Sequence, residues 1–306
     1  MDLRLLESFA ALARVRHMGR AARELHVSQP TLTAHLKRLE AELGAELFER
    51  RSTGLELTAA GAAFVPHAGE VLRRMRRARD DVLAASQGAQ GSMRIGYNHV
   101  AGRRVLPGLI RHLAIRYPKL AVSTWERRTG PQIAGIAAGE LDLGFSYGYP
   151  NDRRFAHRRI DAQIPIVGIV GRDHPLAGRG SVPIAELDDY ACVLFDRPQS
   201  PQMYDAIISS ARAAGVTLDV AVVADDPGAS GQLAVARGLV GFASYVRAEA
   251  LGTESDAPVA VTLVDPIPTV DLYAVWLRER ESEVVLQESL RWLESSSLPT
   301  PGVQTA

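Results

Sequence analysis

Two sets of residues in this 306-residue chain have the types and spacing to do chemistry. The first runs from Ser28 to Arg38. Gln29, Thr31 and Thr33 carry short hydrogen-bonding groups, and Lys37 and Arg38 follow as cations. Amides and hydroxyls at the start of a helix suit base edges in a DNA major groove, while cations on its flank suit phosphates. Arg50 and Arg51 add further cations nearby. The second set is scattered: Asn98 and His99, Arg128 and Thr129, Tyr147, then Arg197, Ser200, Gln202 and Met203. Each falls beside the end of an apolar run or at a helix start, where open α/β sheets bind ligands. Helix starts present free N–H groups and partial positive charge, so a small anion is the natural guest. Asn98 and Thr129 would add neutral hydrogen bonds, and His99 or Arg128 charge. Each of these residues could instead cap its own helix or face solvent.

The first set needs a helix-turn-helix to position it. Ala21, Ala22 and Leu25 belong to a short helix capped at Gly19, and the alanine pair permits a close crossing. His26-Val27 makes the turn. Ser28 is a strong N-cap, and Pro30 in the first turn lacks only an N–H that would have no partner there. Ser28 and Pro30 therefore join the candidate DNA-facing end. Leu32, Leu36, Leu39 and Leu43 form one apolar stripe, with Gln29, Thr31, Thr33, Ala34, His35, Lys37 and Arg38 opposite. An ordinary amphipathic hairpin of helices fits these residues equally. Two short apolar runs then flank Ser52-Thr53-Gly54, which reads as a hairpin with Arg50 and Arg51 near its end. A basic hairpin beside such a helix makes a winged helix-turn-helix.

Thr58 begins a helical segment reaching about Gln87. Along it Phe64, Ala68, Val71, Met75, Ala78 and Val82 alternate at spacings of four and three, a seam by which two helices pack along their length. Packing on its own domain is the other reading. Pro66 should kink or loosen the backbone. Arg73, Arg74, Arg76, Arg77 and Arg79 read as a solvated face.

Beyond Gly91 short apolar strands alternate with amphipathic helices, which argues a largely parallel α/β sheet. Strands are expected at Met93–Gly96, Leu120–Trp125, Leu141–Tyr147, Ile164–Val170, Cys192–Phe195, Val220–Val223, Gly241–Ser244 and Leu272–Trp276. Helices are expected at Leu106–Tyr117, Gln132–Ala138, Gln202–Ala214, Gly231–Ala236 and Glu283–Glu294. Crossings near Asp161–Pro165 and Asp265–Pro268 would divide this region into two lobes with a cleft between them.

Composition narrows the function classes. The single cysteine, Cys192, excludes an internal disulfide and a cysteine-based zinc cluster, and its apolar neighbours make it a structural thiol. The longest apolar run, Ile164 to Gly171, is far too short to span a bilayer. The N-terminus carries Asp2 and Arg4 in an amphipathic pattern rather than a signal segment, so the chain reads as cytoplasmic. Net charge is zero, but residues 1–91 hold 14 Lys and Arg against 11 Asp and Glu, a net of +3. That excess is small for a DNA-binding head, so specific contacts and dimerisation must supply affinity. There is no nucleophile elbow, Walker loop, dinucleotide glycine pattern or metal-ligand spacing. His174 and Asp142 are the one pair an enzyme could be built on. No cofactor or metal is expected.

The N-terminal residues resemble the LysR-type transcriptional regulators. Glu42-Leu43-Gly44, Leu47-Phe48-Glu49-Arg50 and Leu57-Thr58-Ala59-Ala60-Gly61 follow that family's order across about the first 65 residues. Leu106-Pro107, Tyr117-Pro118, Gly139 to Phe145, His174 to Ala177 and Ala236 to Gly241 are similar to its effector-domain landmarks. The Leu-Asp-Leu-Gly-Phe form and the Ser200-Pro201 run look most like the subgroup controlling aromatic-compound breakdown. Gly19 departs from a usual Ser or Thr cap, and Ala34 from a common arginine. The resemblance implies an N-terminal all-α winged helix-turn-helix (1–58), a linker and dimerisation helix (59–91), and a two-lobed α/β effector domain of periplasmic-binding-protein type (92–295). Lobe 1 would span about 92–162 and 267–295, lobe 2 about 163–266, with a disordered tail at 296–306. It also implies a double-stranded operator, a small carboxylate effector, dimers pairing into tetramers, and RNA polymerase as a candidate further partner, with no membrane. The competing readings are a DNA-binding regulator without effector control, and a small-molecule enzyme on the α/β domain.

Overall fold

The computed structural model describes residues 2–51, 54–86, 91–251 and 257–296. The chain forms two compact units, residues 1–83 with 138–140, and 84–137 with 141–306. The expected disordered tail lies outside the described residues, apart from Ser296.

The first unit begins with α1 (Leu3–Val15), capped by Asp2, whose side chain accepts from the Arg4 amide at 3.0 Å. Next comes α2 (Met18–Glu24). Its cap is not Gly19, as expected, but His17, whose Nδ1 accepts from the Arg20 amide at 3.3 Å. Gly19 lies inside the first turn. The helix α3 (Gln29–Leu43) starts as its sequence dictates: Ser28 Oγ accepts from the Thr31 amide at 3.2 Å and Pro30 sits in the first turn. It ends at Gly44, whose φ of 70° is the left-handed conformation that favours glycine. The wing is an antiparallel hairpin of β1 (Phe48–Arg51) and β2 (Gly54–Leu57). Glu40 fixes its entry by accepting from the Leu47 amide at 2.8 Å. Thr58 then caps α4 (Ala59–Ser86), accepting from the Gly61 amide at 3.0 Å, and the helix runs on through Pro66. A Cβ on Gly61 would lie 2.0 Å from the Leu47 carbonyl, so only glycine lets α4 start this close to the wing.

One core holds this unit together. It gathers Leu5, Phe9 and Leu12 of α1, Ala21 and Ala22 of α2, Leu32, Leu36 and Leu39 of α3, and Leu47, Phe48 and Leu55 of the wing. Ala68 and Leu72 of α4 complete it, and Phe64 packs against it. Each fully buried Leu or Phe contributes roughly 1.5–3 kcal/mol of hydrophobic stabilisation.

The second unit opens with β3 (Ser92–Tyr97), α5 (His99–Arg104), α6 (Leu106–Arg116), β4 (Ala121–Glu126), α7 (Thr129–Ala137) and β5 (Leu143–Tyr147). A long β6 (Phe155–Val170) leads to β7 (Ser181–Pro183), β8 (Ala191–Leu194), α8 (Pro201–Ala213), β9 (Asp219–Val223), α9 (Pro227–Arg237), β10 (Gly241–Ser244) and α10 (Tyr245–Ala248). The chain finishes with β11 (Val259–Val264), β12 (Thr269–Leu277) and α11 (Val284–Ser295).

The main sheet is ordered β4-β3-β5-β12-β6-β11-β7, with β10 also on β6, and β8-β9 form a separate pair. A largely parallel sheet does not result. Parallel pairing holds for β3 with β4 and β5, β7 with β11, and β8 with β9, whereas β12 runs antiparallel to β5 and β6. Both β10 and β11 are antiparallel to β6 as well. The cause is the two-lobed plan. Strand β6 carries the chain out of lobe 1 and β12 brings it back alongside, paired from Thr269↔Pro165 to Leu277↔Phe155, so the two must oppose. Their register shifts between Val270 and Tyr273, and Asp271 Oδ1 accepts from the Gln163 amide there at 2.9 Å.

The residues offered as an enzyme pair have structural work. Asp142, 2% exposed, accepts from the Arg94 amide at 2.7 Å and from the Arg94 and Arg280 guanidinium groups at 3.0 and 2.6 Å. His174 Nδ1 accepts from the Leu176 amide at 3.2 Å within its turn. Cys192 is buried, and burial pushes its thiol up to about 12, so it stays protonated.

Candidate nucleic-acid interface and effector cavity

The DNA-facing candidates lie along α3 and the wing. Ser28, Gln29, Pro30, Thr31, Lys37 and Arg38 are exposed and Thr33 is half-buried. Ser28 is occupied as a cap, and its Oγ lies 2.7 Å from Thr31 Oγ1, which orients that hydroxyl. Arg38 Nε donates to Glu42 at 3.1 Å one turn on. His35 is tied inward, its Nδ1 2.8 Å from Ser8 Oγ of α1, and so braces α3 against the core. The side chains of Arg50 and Arg51 lie outside those described, as do Ser52 and Thr53.

On α4 the expected seam divides in two. Ala68 is 1% exposed in the core of the first unit, and the Phe64 ring sits 5.1 Å from that of Phe9. Those two are therefore corrected: they pack on their own domain. Val71, Met75 and Val82 are 45%, 48% and 68% exposed, and Ala78 is exposed too. Among the described residues, the seam positions from Val71 onward are exposed.

In the second unit a cavity of about 370 Å³ lies where strand ends and helix starts from both lobes converge. Seven expected residues line it: Asn98, His99, Arg128, Thr129, Tyr147, Ser200 and Met203 are among its walls, with only Arg197 and Gln202 missing from the expected set. Asn98 ends β3 and caps α5, its Oδ1 accepting from the Ala101 amide at 3.0 Å. Thr129 starts α7, and its hydroxyl accepts from the Tyr147 amide at 3.1 Å. Ser200, ahead of α8 in lobe 2, donates to that same hydroxyl at 3.3 Å. A Cβ on Gly130 would lie 2.1 Å from the Pro198 carbonyl, so glycine is what allows the lobes to meet this tightly beside the cavity.

Charge in the cavity is mixed. The Arg128 guanidinium lies 4.1 Å above the Phe195 ring, and its Nε donates to the Asp225 carbonyl at 2.5 Å. Desolvation lowers its pKa to about 10, which leaves it cationic at neutral pH. Arg247 of α10 pairs with Glu126 of β4 at 3.1 Å across the lobes. His99 Nδ1 lies 3.7 Å from the same carboxylate. Burial, aided by Arg247, holds the His99 imidazole below its usual range, so it is neutral at pH 7. Tyr147 is raised to about 12 by burial. Two buried polar atoms here have no partner, Asn98 Nδ2 and His99 Nε2. Buried polar atoms are nearly always satisfied, and among the described residues these two are exceptions.

Two expected residues stand elsewhere. Arg197 makes a two-pronged pair with Asp205, both bonds 2.7 Å, on the exposed side of α8. Gln202 lines a separate groove with Tyr149 and Asp271 and donates to the Tyr149 carbonyl at 3.4 Å. Helical periodicity explains the latter: positions 200 and 203 share a face, and 202 does not. Sequence reasoning missed Glu126, Asp226, Gly228, Phe242, Ala243, Ser244 and Arg247 of the lining. Phe242 to Ser244 end β10, so the strand-end rule could have found them. Arg247 sits on a four-residue helix too short to leave a periodic signal. Among the described residues no His, Cys, Asp or Glu cluster could hold a metal ion, and no helix is long and apolar enough to cross a membrane.

Residues 3–62 match the family model described as bacterial regulatory helix-turn-helix protein, lysR family, and residues 86–297 match the LysR substrate binding domain. The chain is 30% identical over 270 residues to the HTH-type transcriptional regulator ClcR of Pseudomonas putida, covering 85% of this chain and 92% of that protein. It is 30% identical over 304 residues to the regulator IlvR of Caulobacter vibrioides, covering 98% and 100%. It is also similar to the crystal structure of full-length CbnR complexed with its target DNA, with a TM-score of 0.61 at 28% identity over 96% of this chain and 99% of that one.

Proposed function

The chain belongs to the LysR family of DNA-binding transcriptional regulators, and we propose that a small carboxylate held beside Asn98 and His99 controls its action at an operator. It is a regulator with a substrate-binding domain, not an enzyme. In this reading residues 1–58 form the DNA-reading head, 59–91 the linker helix, and 92–295 the effector domain in two lobes. Gln29, Thr31 and Thr33 meet base edges from a helix start held by Ser28 and Pro30. Lys37, Arg38, Arg50 and Arg51 meet phosphates. Val71, Met75, Ala78 and Val82 supply the seam that joins two chains, and effector domains pair the dimers into tetramers.

The observation that carries the effector reading is the pair of unpartnered buried atoms, Asn98 Nδ2 and His99 Nε2, in two residues that line the same cavity as Arg128 and Arg247. An amide N–H and two guanidinium groups suit a carboxylate, and Tyr147, Met203 and Phe242 supply apolar walls for its body. The Thr129 hydroxyl acts chiefly through Ser200 and the Tyr147 amide, so it holds the pocket's shape more than the ligand. A ligand that touches both lobes shifts their equilibrium by the difference in its affinity for the two arrangements. Through the linker helices that shift changes the spacing of the DNA heads.

The test is calorimetry of the full chain against small aromatic and aliphatic carboxylates, each beside its neutral amide. Carboxylates should bind and the amides should not. Binding confined to neutral or cationic compounds would refute the pocket reading. No binding by any compound, with operator occupancy unchanged across the panel, would favour a regulator without effector control.

A further inference from the structure

We propose that Gly19 is a positioning residue for base recognition: by lacking a side chain, it lets the Gln29 amide lie back over the first turn of α2 and so sets the base edge that amide meets. The inference rests on the reading of Gln29 as a base-contacting residue.

The geometry at the crossing of α2 and α3 is specific. A Cβ on Gly19 would stand 2.7 Å from Gln29 Nε2, inside any real contact, and 3.4 Å from His17 Cε1 on its other side. His17 cannot yield, because its ring is pinned as the cap of α2 by the bond from the Arg20 amide. Gln29 can yield. Its side chain is exposed at the head of α3, and among the described residues its amide makes no hydrogen bond within the protein. Any side chain at position 19 would therefore push the Gln29 amide away from α2, while the backbone of both helices stays put.

No other demand on the glycine competes with this one. Gly19 has no positive φ, and its carbonyl is covered by Arg23 Nε at 3.3 Å in an ordinary helical turn. Glycine inside a helix is a conformational cost relative to alanine. A residue that weakens its helix and frees space only for Gln29 is explained by what Gln29 does. Side-chain amides read adenine bidentately through N6 and N7, a contact that tolerates little displacement.

The experiment uses the full-length chain and a pool of DNA duplexes with a randomised central region, selected by binding and sequenced. Wild type, Gly19→Ala, Gln29→Ala and the double variant are compared, with Gly19→Ser as a second carrier of the same Cβ. Gly19→Ala should alter base preference at the base pairs that Gln29→Ala alters. It should weaken binding to the wild-type-selected duplex about tenfold, the lower end of what one base contact is worth. In the Gln29→Ala background the same substitution should change affinity less than twofold, and melting temperature should not fall in any Gly19 variant. An unchanged profile for both Gly19 variants beside a changed one for Gln29→Ala would overturn the proposal alone, as would strictly additive effects or a shift at other base pairs. A profile untouched by Gln29→Ala would remove Gln29 as a reader, and this proposal with it.

Discussion

Substituting Asp for Asn98 isolates the one donor on which the carboxylate reading depends. Asn98 does two things: its Oδ1 caps α5 through the Ala101 amide at 3.0 Å, and its Nδ2 is buried without a partner. Aspartate caps a helix as well as asparagine does, so Asn98→Asp preserves the first role. The second is inverted, since an acceptor replaces the donor. A hydrogen bond to a charged ligand is worth about 1.5–3 kcal/mol. Two carboxylates about 4 Å apart repel by up to ~4 kcal/mol at an effective dielectric of ~20. Arg128 and Arg247 line the same cavity and offset part of that repulsion. The sum is a loss of roughly 3 kcal/mol or more, which is at least ~100-fold in affinity. Calorimetry with a carboxylate that the wild type binds reads this directly, and thermal unfolding checks that α5 remains capped. An Asn98→Asp chain that folds normally and binds within about threefold of wild type would show that Nδ2 does not meet the ligand.

Three further outcomes follow from the same geometry. Because the His99 imidazole is held low by burial and Arg247, an anion placed beside it raises its pKa, and the complex then carries more protons than the free protein. Carboxylate affinity should therefore rise as pH falls toward the ordinary histidine value of 6.5, and His99→Gln should remove that rise; a binding heat identical in buffers of different ionisation enthalpy would contradict proton uptake. Asp142→Asn leaves the nearly buried Arg94 and Arg280 without their shared carboxylate, a loss near ~3 kcal/mol because Arg280 keeps Glu283 at 2.8 Å. At about 2–4 °C per kcal/mol for a domain of this size, melting should fall by roughly 6–12 °C, and a change under about 2 °C would refute the assignment. Val71→Asp with Met75→Asp should give monomers in sedimentation, since both sites are open in one chain and would bury charge only in a seam; a persisting dimer would place the interface elsewhere.

Much of the first unit was legible because its signals are local. Ser28, Pro30, Gly44 and Thr58 act on neighbours within one turn, and each ends or starts a helix as its chemistry dictates. The wing follows from two apolar runs around a glycine. The cap of α2 was missed because an imidazole nitrogen can accept a backbone bond, yet histidine is not among the usual capping residues. Heptad spacing marks one apolar stripe along α4, but periodicity cannot say which part of a stripe is already covered. Phe64 and Ala68 are covered by Phe9 and its neighbours; Val71 onward is not.

By itself the sequence determined the helix-turn-helix, the wing, the succession of strands and helices, and most of the strand ends that border the cavity. These depend on the polarity and backbone preference of residues close together in the chain. Tertiary structure alone decided the pairing of β6 with β12, which turned an expected parallel sheet into a mixed one. It alone brought Arg247 of α10 to Glu126 of β4, sent Gln202 to a different groove from Ser200, and left Asn98 Nδ2 without a partner. The physical reason is the same in each case. A cavity is the space that distant segments leave between them, and neither its shape nor an unmet hydrogen bond within it exists until those segments have packed.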